Sequence, residues 1–363
     1  MITSKIIANG ILRALGTLSL IGVFIYFIYQ IQTVIVYLIA SVILCLIANP
    51  IVEFLKRKLK FSNTIAVIST LVFFFLIIVG VVLLFVPLVI DQGNNLSLLN
   101  TNTIQNKFIE IYNQFTIYLK NHHLPISKTF NAADITSKFD FKILTNFFSS
   151  ILGLVSSIGI TIGSMFFISF FLLKDKIQFV TVLRYIIPDN NESKILNSIY
   201  KTKELLSRYF TGLLIQAILV CIMYLIVLLI FGVENAFVIA FLCALLNIIP
   251  YVGAFIGMIL VSILTLLSNI NSDFQSITLP TTIYVLIGFL IVHLIDSNIS
   301  QPIIFSRSVK SHPLEIFLII LISGILFGIA GMIVAVPFYT ILKVVAKEFL
   351  PENKIIKVLT KNI

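Results

Sequence analysis

Asp296 is the side chain in this sequence whose type and surroundings most need a chemical explanation. It lies in His293-Leu294-Ile295-Asp296-Ser297-Asn298-Ile299-Ser300-Gln301-Pro302, where a hydrophobic run acquires two ionisable groups. A carboxylate at membrane depth is costly and by default marks function, so Asp296 is a candidate ion or proton site. Its candidate partners are His293, one helical turn earlier, and Asn298 or Gln301, with Arg307 as a longer-range alternative. A competing reading puts Asp296 at the cytoplasmic interface, capping the next segment or pairing with Arg307. Asn247, just ahead of Pro250, is either a site ligand or a turn residue. Glu234 reads as a solvated loop charge.

Other chemistries find no pattern to rest on. The nucleotide loop GxxxxGK[ST] is absent, as are GxSxG, HExxH and a pair of aspartates within apolar runs. The chain is therefore not read as an enzyme, and an intramembrane protease is not expected. Cys45, Cys221 and Cys243 all lie inside apolar runs without CxxC spacing, which implies neither a metal nor a disulfide. No cofactor is implied.

The elements that must position Asp296 follow from composition. Hydrophobic residues make up 59% of the 363 residues and charged ones 11%, and the mean hydropathy is +1.11. A water-soluble domain would coat itself with about 25% charged residues. The missing solvent is lipid, and the fold class is an all-α polytopic integral membrane protein. The net charge of +10 does not imply a nucleic-acid partner, because the basic residues sit at the ends of apolar runs. Lys5 and Arg13 ahead of an apolar run resemble a signal peptide, but a second run follows without a small-x-small cleavage site, so a helical hairpin is expected instead.

A spanning helix needs about 20 apolar residues. The candidates are Ala14 to Gln30, Thr33 to Asn49, Thr64 to Ile90, Phe147 to Leu173, Tyr209 to Phe231 and Thr278 to Ser297. Excess Lys and Arg mark cytoplasmic loops. Lys5, Arg13, the cluster Lys56 to Lys60, the segment Lys174 to Arg208, Arg307, Lys310 and the tail from Lys343 to Lys361 therefore face inside. Both termini are expected in the cytoplasm.

Three regions result: N-terminal spans over 1–90, an extracytoplasmic segment over 91–146, and a transport region over 147–363. In the middle region Ile104, Phe108, Ile111, Phe115 and Leu119 recur at spacings of three and four, which predicts an amphipathic helix on the membrane or on neighbouring helices. A cap is the plainer role for it; capture of a partner or solute is the other. Within 174–208, Pro188, Asp189 and Glu192 signal a helix start, so a cytoplasmic helix is expected to lead into the next span.

Two apolar stretches, 236–267 and 314–345, fail as ordinary spans. The first is interrupted at Ile249-Pro250-Tyr251-Val252-Gly253 and the second at Ala330-Gly331, with Pro337 in its second arm. An arm of about 14 residues rises about 21 Å, against a hydrocarbon core of about 30 Å. Such arms suit re-entrant hairpins, entering here from opposite faces, which is the sequence pointer to a mid-membrane site in secondary transporters. Four short complete spans satisfy the same charge pattern, giving eight or more segments in place of six spans and two hairpins. Gly159 with Gly163, Gly253 with Gly257, and Gly324 with Gly328 give GxxxG spacings that let helices approach closely, within the chain or between subunits.

At these residues the sequence resembles the autoinducer-2 exporter (AI-2E) family of bacterial membrane proteins. The resemblance rests on Ile249-Pro250-Tyr251-Val252-Gly253, on Gln301-Pro302 through Ser306-Arg307-Ser308-Val309 and His312-Pro313, and on Gly324, Gly328, Gly331 and Ala335-Val336-Pro337. Three positions depart from the pattern: Ala254 stands where proline is frequent, Asp296 where glutamate is common, and Leu213 in place of the glutamine that usually follows Gly212. The resemblance implies an exporter of a small polar signalling molecule, or a sodium/proton antiporter, in the bacterial inner membrane, and a homo-oligomer, with a pentamer among the arrangements. The partners implied are a small polar solute, a monovalent cation or proton, and the lipid bilayer. A gradient-driven secondary transporter is the first functional expectation. A passive oligomeric channel and a structural or signalling membrane protein are the alternatives.

Overall fold

The structure, a computed structural model, describes residues 4–95, 101–121, 142–250, 252–269, 272–302 and 311–361. All regular elements among these are helical: α1 (Ser4–Gln30), α2 (Gln32–Lys58), α3 (Asn63–Asn95), α4 (Thr101–Asn121), α5 (Lys142–Lys174), α6 (Lys176–Ile186), α7 (Glu192–Ile230), α8 (Ala236–Leu246), α9 (Val252–Ser268), α10 (Leu279–Ile295), α11 (Pro313–Phe349) and α12 (Lys354–Leu359). Among the described residues, six helices are long and apolar enough to cross a membrane. Their outward faces are leucine, isoleucine, valine and phenylalanine, and α1 exposes such residues all round, with Leu20 at 72%. Water would not tolerate that surface; the chain is a multi-pass membrane protein.

One compact unit comprises Met1–Leu71 with Gly159–Lys176. There α2 and the end of α5 are joined by small polar side chains. The Ser41 hydroxyl donates to the Met165 carbonyl at 3.1 Å, and the Ser169 hydroxyl donates back to the Ser41 carbonyl at 3.2 Å. Small residues at a helix contact let backbones close in where lipid offers no hydrophobic drive. At the basic end of α2, Glu53 forms ion pairs with Arg57 and Lys176, and the Asn63 amide donates to the Lys174 carbonyl.

The other unit comprises Val72–Ile158 with Ile177–Ile363. Its axis is α7, which starts after Pro188 through a short 3₁₀ turn, Asp189–Asn191, with Glu192 in its first turn. The helix-start signal at Pro188 therefore holds. The segment 174–208 is two helices, however: α6, and the first turns of α7, which run unbroken through Tyr209 into the span. Helix α10 lies antiparallel to α7, and the pairing is read from its rings. Tyr224 stacks on Phe289 with centroids 4.0 Å apart, and Phe231 on Tyr284 at 5.6 Å. Val220, Ile239, Leu264 and Val285, all buried, complete this core. Phe108 and Ile111 of α4 pack against it, and Phe115 meets Phe274 edge-on, so the amphipathic stripe of α4 rests on neighbouring helices.

Two helical hairpins belong to this unit. Helices α8 and α9 fold together so tightly that a Cβ built on Gly253 would lie 1.8 Å from the Leu246 carbonyl oxygen, and one on Gly257 would touch Cys243. Pro250, buried in the turn, fits a position where no donor is needed. Helix α11 also doubles back. Gly328 has φ 63° and ψ −152°, a conformation open only to glycine. Beyond it, the Tyr339 hydroxyl donates to Glu315 Oε2 at 2.8 Å and Lys343 Nζ lies 3.1 Å from the same oxygen. A straight helix would hold residues 315 and 339 about 36 Å apart. The second break is therefore at Gly328, two to three residues before the expected Ala330-Gly331, because Gly331 is needed elsewhere. A Cβ there would meet the Ser323 carbonyl of the facing arm at 2.3 Å, and one on Gly324 would meet Met332. Pro337 causes no break; it is buried within the second arm. Among the expected spans, Phe147 to Leu173 lies within α5, while the sixth long apolar helix is this folded α11.

Gly253→Ala and Gly328→Ala are each expected to destabilise the protein by about 1–3 kcal/mol, through overpacking and forced left-handed backbone respectively. Gly159→Ala, with nothing within 4 Å of its Cβ position, should be near neutral. Equilibrium unfolding in mixed micelles compares the three.

Candidate functional site

Asp296 sits where α10 loosens into a π-helical turn, Asp296–Ser300. The backbone N–H of Gln301 bonds to the Asp296 carbonyl five residues back. In an α-helix residues five apart point about 140° away from each other, at 3.6 residues per turn. The wider π turn reduces that angle, and such turns recur at functional sites. Here it brings Gln301 Nε2 to 3.2 Å from Asp296 Oδ2.

Two further amides converge from other elements. Gln216, on α7, donates through Nε2 to both carboxylate oxygens at 2.9 Å. Asn247, the residue that ends α8 at the tip of the first hairpin, donates through Nδ2 to Oδ2 at 3.2 Å. All four side chains are buried, Asp296 to 2% exposure. Gln216 lies about 12 Å of helical rise from Arg208 and about 21 Å from Ile230. Toward the Ile230 end, the Tyr224–Phe289 stack forms an apolar layer beside the site.

The charge balance of this cluster is unusual. No ion pair among the described residues includes Asp296. Its partners are three neutral amides, and the C-terminal end of α8, the negative end of a helix dipole, meets it through Asn247. Gln216 Oε1 and Asn247 Oδ1 are also buried and have no hydrogen-bond partner among the described residues. An unpaired buried acceptor costs about 1–3 kcal/mol, so two beside one carboxylate make this the least satisfied polar cluster to explain among the described helices. A primary amide offers two donors on one atom and an acceptor on the other. Rotation of Gln216 or Asn247 would therefore turn an oxygen toward a proton or cation held by Asp296.

Of the residues singled out in the sequence, the structure brings Asn247 and Gln301 to Asp296 and leaves His293 and Asn298 away from it. His293 Nδ1 is buried without a partner among the described residues. Asn298 is exposed and donates to the Leu294 carbonyl at 2.8 Å. Arg307 lies outside the described residues. His312 and Pro313 start α11: His312 Nδ1 accepts from the Leu314 N–H at 3.3 Å, and Pro313 occupies the first turn. Gln216 is the residue that sequence reasoning missed. Its signal was a lone amide in the apolar run Tyr209 to Phe231, one turn beyond Leu213, where a glutamine was looked for and not found.

A bundle of apolar helices with two helical hairpins and a buried carboxylate held by amides defines a multi-pass membrane protein with a polar centre inside its helical core. The family model for AI-2E family transporters matches residues 18–350. The chain belongs to that family, and its role is in membrane transport. It is 26% identical over 354 residues to YrrI of Bacillus subtilis, provisionally named a transport protein, covering 93% of this chain and 95% of that one. It is 30% identical over 200 residues to YueF of the same organism, also provisionally named a transport protein, covering 55% of this chain and 52% of the other. With PerM of Escherichia coli, provisionally named a permease, it shares 27% identity over 188 residues, 51% of this chain and 50% of that one.

Replacing Gln216 by leucine is expected to cost about 1–3 kcal/mol, since it strips donors from a buried carboxylate. In a double-mutant cycle with Asp296→Leu the two changes should couple by about 0.5–3 kcal/mol. Strictly additive unfolding energies would contradict the contact.

Proposed function

We propose that this protein is a secondary transporter that moves a small polar solute or ion outward, with Asp296 as the group that binds the coupling proton or sodium ion. The observation that carries this reading is a buried carboxylate with neutral amide donors, no ion-pair partner among the described residues, and two spare amide oxygens beside it. A buried charge is tolerated when it is paired or neutralised. A proton or a monovalent cation supplies that neutralisation here, and the negative end of α8 favours it further.

Depth supports the same reading. Gln216 stands about 12 Å from Arg208 and about 21 Å from Ile230 along α7, inside the about 30 Å of a hydrocarbon core. The 11 residues of α8 rise about 16 Å, which suits a re-entrant arm whose C-terminal end faces a mid-membrane ion site. The distribution of Lys and Arg supports cytoplasmic termini, and a bacterial inner membrane and a homo-oligomer are part of the proposal. The apolar layer at Tyr224 and Phe289 fits a gated path better than an open pore.

Reconstituted vesicles test the proposal. Asp296→Asn and Asp296→Ala should lower gradient-driven flux about tenfold or more relative to the parent, with Asp296→Glu less affected. Normal transport by both variants under every proton and sodium gradient would refute the assignment.

A further inference from the structure

The ends of three apolar helices meet at one corner of the unit formed by Met1–Leu71 and Gly159–Lys176: the last turn of α2, the first of α3 and the last of α5. Asn63 ties them together. Its Oδ1 accepts from Lys56 Nζ at 3.1 Å, and its Nδ2 donates to the Lys174 carbonyl at 3.1 Å. Lys174 Nζ stands 5.4 Å from the centre of the Phe170 ring. The acids in the sequence of this unit are Glu53 and Asp175, and Glu53 is already shared by Arg57 and Lys176. No ion pair among the described residues includes Lys56, Lys58, Lys60 or Lys174. Cations of the other unit are provided for differently: Arg184 has Glu192, Arg208 has Glu204 and Lys343 has Glu315.

A topology signal needs basic residues on one side of the membrane, but it does not need them unpaired and gathered from three segments. Lys60 is an independent mark. It follows the C-cap of α2 with φ 53°, where glycine or asparagine is the ordinary choice, so the backbone gains nothing from a lysine there. Beside these cations Phe54, Leu59 and Phe61 are exposed, at 57%, 54% and 38%. A soluble polyanion would leave those side chains in water. A lipid covers them with acyl chain while its phosphate meets the ammonium groups. We propose that this corner binds the headgroup of an anionic phospholipid, with Lys56, Lys60 and Lys174 around its phosphodiester and Leu59 and Phe61 among its acyl chains. A zwitterionic lipid brings its own cation and gains less from the same lysines. The inference rests on this corner alone and stands whether or not Asp296 couples transport.

The chain has no tryptophan, so Phe61→Trp sets a single indole at this corner of the full-length protein, and brominated lipids that reach it quench its emission. In phosphatidylcholine vesicles, brominated phosphatidylglycerol should quench at about tenfold lower mole fraction than brominated phosphatidylcholine. Lys56→Gln, Lys60→Gln and Lys174→Gln together should bring the two lipids to parity, whereas Lys354→Gln with Lys357→Gln on α12 should leave the preference unchanged. Inorganic phosphate at millimolar concentration should not displace the lipid. Native mass spectrometry of the parent and of the triple variant, both without the indole, repeats the comparison by counting retained phosphatidylglycerol. Equal quenching by the two lipids, a preference that survives loss of the three lysines or is weakened as much by the α12 pair, or displacement by inorganic phosphate overturns the proposal.

Discussion

The interaction on which the rest of the transport unit depends is the set of amide hydrogen bonds around Asp296. Gln216, Asn247 and Gln301 come from a long helix, a hairpin tip and a π-helical turn, and each must be placed to within a few tenths of an ångström to share one carboxylate. Neutral donors stabilise the carboxylate without cancelling its charge. A lysine or arginine in the same position would have satisfied the site permanently and left no affinity for a mobile cation.

The surrounding fold can be understood as the means of holding that cluster in lipid. Lipid gives no hydrophobic drive for helix association, so close packing and internal hydrogen bonds must do it. Gly253 and Gly257 let α8 and α9 lie together and bring Asn247 to the tip. The antiparallel stacking of Tyr224 on Phe289 fixes the register of α7 against α10, and with it the meeting of Gln216 and Asp296. In the second hairpin, Lys343 is buried and pairs with Glu315 and Ser311 across the two arms, so the hairpin's open end is closed by charge while its tip at Gly328 is free of such ties. The two carboxylates thus differ in kind: the half-buried Glu315 has its cation built in, and the buried Asp296 has amides.

Class and helices were legible from composition and apolar runs because lipid imposes a long, continuous signal. Both interruptions were legible from their glycines and proline, but the second turn falls at Gly328, two to three residues ahead of the expected Ala330-Gly331. Sequence alone does not say which of Gly324, Gly328 and Gly331 turns the chain and which two make room for the facing arm; that depends on contacts between arms. The carboxylate was also legible, because an aspartate in an apolar run is rare. Its partners were only half legible. An α-helical spacing favours His293, three residues away, whereas the π-helical turn selects Gln301. Gln216 is 80 residues away in sequence from Asp296, and no local pattern joins them.

The central proposal is that Asp296 binds a proton or a sodium ion. Infrared difference spectroscopy on the reconstituted protein reads this directly, with Asp296→Asn as the reference. A protonated-carboxyl band that grows on acidification, is suppressed by added sodium and is missing in Asp296→Asn is the predicted result. A carboxylate signal that responds to neither pH nor sodium would contradict the account.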